Sequence, residues 1–189
     1  MDIIQVLKDL VTMIAAITAS VVAVLGLSAW KKQLKGKTYY ELARRYLGAV
    51  YKARDAIRYV RAPFIASGEI ITALKESGYD ESDYADRKKS DQAVYSRRWK
   101  KLTETLSVLE LEQIDAEVSW GKEVATIAED FNKCWRKLYS RLNWFLRGGE
   151  GMKPEDIDII YDMGEDDEFN KEIKKAVEQI EVYLKKHLK

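Results

Sequence analysis

Hydrophobic positions along the chain fall into two regimes. From Leu10 to Trp30 there are 21 residues without a charge, LVTMIAAITASVVAVLGLSAW, polar only at the hydroxyls of Thr12, Thr18, Ser20 and Ser28. At about 1.5 Å of rise per residue, a helix of that length matches the roughly 30 Å hydrocarbon core of a bilayer. A buried core helix keeps a polar face, and this segment has none. A cleaved signal peptide has a basic start and an apolar region of about 7–15 residues. Here Asp2, Lys8 and Asp9 precede a longer run and Lys31 and Lys32 follow it at once, as befits an anchor. The segment 10–30 is therefore predicted to be a transmembrane helix.

Beyond it the apolar positions become periodic. Thr38-Tyr39-Tyr40-Glu41 has capping-box spacing and predicts a helix start, with Ala43, Tyr46, Leu47, Val50, Ile57 and Val60 at helical intervals. Pro63 disfavours helix at Ala62 and ends this element near Arg61. Glu69 to Glu76 predicts a short helix, and GYDESDYADRKKSD a polar connection. The next run opens near Ser90 or Asp91 and stops at Arg147-Gly148-Gly149, carrying Trp99, Leu102, Leu106, Leu109, Ala116, Trp120, Val124, Ile127, Phe131, Trp135, Leu138, Leu142 and Phe145. No proline interrupts it, and a lone glycine costs only about 1 kcal/mol, so the pattern favours one long helix over two broken around Ser119 to Gly121.

Pro154, Glu155 and Asp156 suit the first turn of a short helix. The last helix is expected from Asp166 or Asp167, with Phe169, Ile173, Ala176, Val177, Ile180, Leu184 and Leu188 on one face. No segment alternates as a strand does. The expected fold is all-α: an external tail over 1–9, the transmembrane helix, a basic juxtamembrane linker over 31–37, and a cytoplasmic helical bundle with long antiparallel helices over 38–189.

The formal net charge of +1 gives no indication of nucleic acid, but the charge is unevenly spread. Lys31 to Arg61 holds ten basic residues against Glu41 and Asp55, whereas Glu150 to Glu168 holds nine acidic residues against Lys153. The loop from Glu150 to Glu168 is expected to lie near the basic helix from Thr38 to Arg61. Basic residues flanking a span stay on the cytoplasmic side. The N-terminus is thus expected outside and residues 31–189 inside, at an inner (plasma) membrane of bacterial or archaeal type, with Trp30 at headgroup level. A lone cysteine, Cys134, agrees with a reducing compartment. Lys31, Lys32, Lys35, Lys37, Arg44 and Arg45 are the candidates for contact with anionic lipid.

Candidate chemistry is sparse. The one histidine, His187, belongs to no HExxH or Glu-x-x-His pattern, and Cys134 has no histidine to activate it and reads as a core residue. Gly148-Gly149-Glu150-Gly151 lacks the Lys-Ser/Thr of a phosphate loop. Asp156, Asp158, Asp162, Glu165 and Asp166 do not follow calcium-loop spacing. No catalytic, cofactor or metal site is predicted. Three features remain. Ala15, Ala19 and Ala23 share one face of the span with Ser20 and Gly26 nearby, as in close helix pairs. The basic residues named above form the second. Trp144, off the main stripe beside Lys137 and Arg141, is a candidate partner contact. The function expected is a non-enzymatic, single-pass, membrane-anchored interaction or scaffold protein, with a homo-oligomer or a protein partner. The alternative is a membrane-active effector, a toxin or immunity protein, whose spans assemble into a pore.

Overall fold

The computed structural model describes residues 3–164 and 167–188. Asp166, one expected start of the last helix, lies outside the described residues, as do Glu165, Asp2 and Lys189. Among the described residues every regular element is helical: α1 Ile3–Arg61, α2 Ser67–Glu76, α3 Arg87–Trp120, α4 Glu123–Leu146, α5 Pro154–Ile160 and α6 Glu168–Leu184, with a 3-10 turn at Glu81–Ala85. Two compact units divide the chain, Met1–Glu41 and Leu42–Lys189.

The first unit is a length of α1 whose apolar side chains, from Ile3 to Leu34, are all exposed. It holds the one helical stretch among the described residues that is long and apolar enough to cross a membrane. Three of its hydroxyls are satisfied within the helix. Thr12, Thr18 and Ser20 donate to the carbonyls of Lys8, Ile14 and Ala16, each at 2.8 Å. The expected helix start at Thr38 is not found, because α1 runs unbroken through residues 31–37. Thr38 Oγ1 donates back to the Leu34 carbonyl at 3.0 Å, the bond of a threonine inside a helix. The spacing Thr-x-x-Glu is the same in both situations, which is why it misleads.

In the second unit, α1 buries Ala43, Tyr46, Val50, Ala53, Ile57 and Val60, a repeat of alternating threes and fours. They share one core with Leu102, Leu109 and Ala116 of α3, Val124, Phe131, Leu138 and Leu142 of α4, and Ile173, Val177, Ile180 and Leu184 of α6. The pairs α1–α3, α1–α6, α3–α4 and α4–α6 each run antiparallel. Arg45 reaches Glu112 while Lys101 sits over the Tyr59 ring, which fixes α1 against α3. Tyr51 donates to Glu181 at 2.9 Å near one end of α6 and Arg61 meets Asp167 at the other. Trp99 packs on Tyr139 and Tyr95 on Phe145 between α3 and α4. Lys137 to Glu172 and Lys186 to Glu123 tie α4 to α6. A smaller core, Ala73 and Leu74 against Ala93 and Val94, holds α2 on the first turns of α3.

The single long helix expected over residues 91–147 is overturned. α3 ends at Trp120 and α4 begins at Glu123. Gly121 takes φ 95° and ψ 179°, a backbone region open essentially to glycine alone. There the chain reverses, so that the two halves of one stripe pack on each other instead of extending away. Helix propensity counts only the loss of helix at a glycine, whereas the conformation gained there decides the fold. A Cβ added at Gly121 would meet nothing within 4 Å, so a substitution is opposed by backbone strain alone. Gly121→Ala is expected to cost about 1–3 kcal/mol, read as a lower urea midpoint with unchanged slope. Full parental stability would show that the turn does not depend on that conformation.

Candidate functional site

Two arginines with almost no exposure, Arg61 and Arg98, organise the polar interior. Arg61 ends α1. Its Nε donates to the Ile159 carbonyl at 2.9 Å, and Nη2 to those of Asp158 at 2.8 Å and Tyr161 at 2.9 Å. It also pairs with Asp167 and bonds Asn170, and its guanidinium lies 4.9 Å from the Phe169 ring centroid. In return the Arg61 carbonyl accepts from the Asp162 amide at 2.9 Å. Burial would raise the Asp167 pKa. The amides of Met163 and Asn170 together with Arg61 outweigh that and hold its carboxyl below the ordinary value. The acidic segment thus does lie against the basic helix, through one buried side chain and three carbonyls.

Arg98 of α3 does the same for the exit from α1. Nε and Nη2 grip both oxygens of Glu69 at 2.8 Å, Nη1 binds the Ala62 carbonyl at 2.7 Å and Nη2 that of Phe64 at 3.0 Å. Tyr59 completes the node, donating to Glu69 at 2.9 Å. These bonds, that from Arg98 first, hold the Glu69 carboxyl below its usual range. The bonds of both guanidinium groups run to other segments of the protein, so the nodes fix loops. No sequence pattern marks Arg98, and Arg61 reads there only as one of the ten basic residues from Lys31 to Arg61. Burial of either depends on carbonyls supplied from distant segments.

The sequence candidates divide between the units. Ala15, Ala19, Ala23, Ser20 and Gly26 are exposed on α1, and a Cβ added at Gly26 meets nothing within 4 Å. Lys31, Lys32, Lys35, Lys37 and Arg44 are exposed as well, Lys37 lying 3.9 Å from Glu41 and Lys35 5.3 Å from the Tyr39 ring centroid. Arg45 is committed inside the second unit, 3.1 Å from Glu112 and 3.6 Å from Asp115. Trp144 is half-buried with the Arg141 guanidinium 5.8 Å from its ring centroid.

Cys134 is buried as expected, and desolvation pushes its thiol up to about 11. His187 stacks on Trp120 at 4.1 Å, with burial first and Lys186 second lowering its pKa. Among the described residues no group of three or more His, Cys, Asp or Glu is placed to hold a metal ion. One surface went unread in the sequence. Val108, Leu111, Ile114 and Val118 form an exposed stripe on α3 opposite its buried residues. The signal was available as a second apolar periodicity in the same helix. No family model, curated protein or solved structure matches the chain.

The buried pair makes stability pH-dependent. A carboxylate whose folded pKa is depressed stabilises fully above its unfolded value, near 4, and loses that contribution as pH falls through the folded value. Asp167 and Glu69 both act in this direction. Stability measured by denaturant is expected to fall below pH 4, with a shallower fall in Asp167→Asn. Arg61→Ala leaves Asp167 buried without its partner and is expected to cost about 3–5 kcal/mol at pH 7. An unchanged acid profile in Asp167→Asn would remove this residue from the account.

Proposed function

We propose that the chain is a non-enzymatic, membrane-anchored interaction module. Residues 10–30 cross the bilayer once, and residues 42–189 form a helical bundle on the cytoplasmic side. The observation that carries this reading is the contrast between the units. The second encloses its own core, whereas the apolar window of the first has no buried residue at all. A lipid phase covers such a surface, and the hydroxyls of Thr12, Thr18 and Ser20 are already bonded within the helix. Lysines directly after Trp30 support the orientation. The exposed face of Ala15, Ala19 and Ala23 supports oligomerisation through the span. That same face favours the second reading, a pore-forming effector.

Ser82 is exposed beyond α2 and suits a topology probe. In Ser82→Cys, an impermeant maleimide is expected to label only after cells are permeabilised, with the chain retained in membranes at alkaline pH. Labelling of intact cells would reverse the orientation, and extraction at alkaline pH would remove the anchor. The two functions separate on membrane potential. A pore depolarises cells on expression and loses that effect in Ala19→Ile or Ala23→Ile. An interaction module leaves the potential unchanged and tolerates exchange of its span for an unrelated one.

A further inference from the structure

The α3 stripe is an apolar face of the second unit that the fold leaves uncovered. Val108, Leu111, Ile114 and Val118 are 49, 66, 51 and 83% exposed, at intervals of three, three and four residues along one helix face. Together they present on the order of a few hundred Å², the size at which an apolar patch marks a contact site. The same face is covered at the start of the helix, where α2 packs Ala73 and Leu74 on Ala93 and pairs Glu76 with Arg97 at 3.0 Å. α2 is only ten residues long, and the column it begins continues bare for the rest of α3.

Charge selects what could continue that column. From Leu102 to Trp120 there are five acids, Glu104, Glu110, Glu112, Asp115 and Glu117, and no base. Arg45 pairs with Glu112 and Asp115 on one side of this stretch, and Glu104, Glu110 and Glu117 carry its remaining negative charge. Two copies meeting stripe to stripe would bring the excess acid of each together, and an anionic bilayer would be repelled. A helix with an apolar stripe and basic flanks would bury the four side chains and neutralise the rim.

We propose that the outer face of α3 from Glu104 to Val118 is a docking site for a basic amphipathic helix of a protein partner, laid end to end with α2. The inference rests on the second unit alone and stands whether or not residues 10–30 enter a bilayer.

The test uses the full chain in neutral-detergent micelles and a fluorescent 18-residue peptide of Leu, Ala and Lys with leucines at helical spacing. The same peptide with Glu for Lys is the comparison. The basic peptide is expected to bind at least tenfold more tightly than the acidic one, and Leu111→Glu/Val118→Glu to lose at least tenfold. Both positions are exposed, so melting should stay at the parental temperature. Glu104→Lys/Glu110→Lys removes the net negative charge of the stretch and should abolish the preference between the peptides in that variant, a result that partition into micelles cannot produce. Equal binding of the two peptides by the parental chain, or unaltered binding by either variant, would overturn the proposal. So would a peptide-free chain in which Leu111→Cys oxidises quantitatively to a symmetric dimer, since a second copy then occupies the face.

Discussion

Apolar helix surface has to be covered, and this chain meets that constraint in different ways along its length. In the second unit, α1, α3, α4 and α6 each contribute a stripe, and the stripes cover one another. A fully buried Leu, Ile or Phe there is worth roughly 1.5–3 kcal/mol relative to exposure. In the first unit there is nothing to cover Ile14, Ile17, Val21 or Leu25, which stay more than half exposed. Under the proposed reading lipid supplies that cover. On α3 the constraint is met at Ala93 by α2 and left unmet at Leu111.

Polar groups follow from the same packing. Where helices end against a shared core, their last carbonyls lose water and need donors. Arg61 supplies three at the end of α5, and Arg98 two after α1. A planar guanidinium with five donors can serve several carbonyls at once, which an ammonium cannot do in fixed geometry. Asp167 and Glu69 balance the two charges. Of the charge polarity along the chain, one pair, Arg61 with Asp167, is thus resolved inside the fold at the joint between its segments.

Legibility tracked how local each cause is. The apolar run, the end of α1 before Pro63, the first turn at Pro154 and the stripe from Phe169 to Leu184 depend on neighbours in sequence, and the structure shows all of them. Thr38 failed because an identical spacing serves a helix interior. Gly121 failed because its role is a backbone conformation that matters only once two helices can pack. Arg61 and Arg98 were opaque because their carbonyl partners lie about 35 to 100 residues away. The outer stripe of α3 was readable, but the stronger inner stripe of Leu102, Leu109 and Ala116 masked it. Of the candidates proposed from sequence, the apolar face of α1 is exposed as a span requires, while Arg45 is engaged by α3.

The central claim is that lipid covers the first unit. A nitroxide attached at Ala19→Cys in the chain reconstituted into bilayers reads this directly, by collision with oxygen, which dissolves in hydrocarbon, and with a polar nickel complex, which does not. The account predicts high oxygen and low nickel access at residue 19, with the order reversed at Lys35→Cys. Equal nickel access at both positions would mean that α1 stands in water, and would contradict the account.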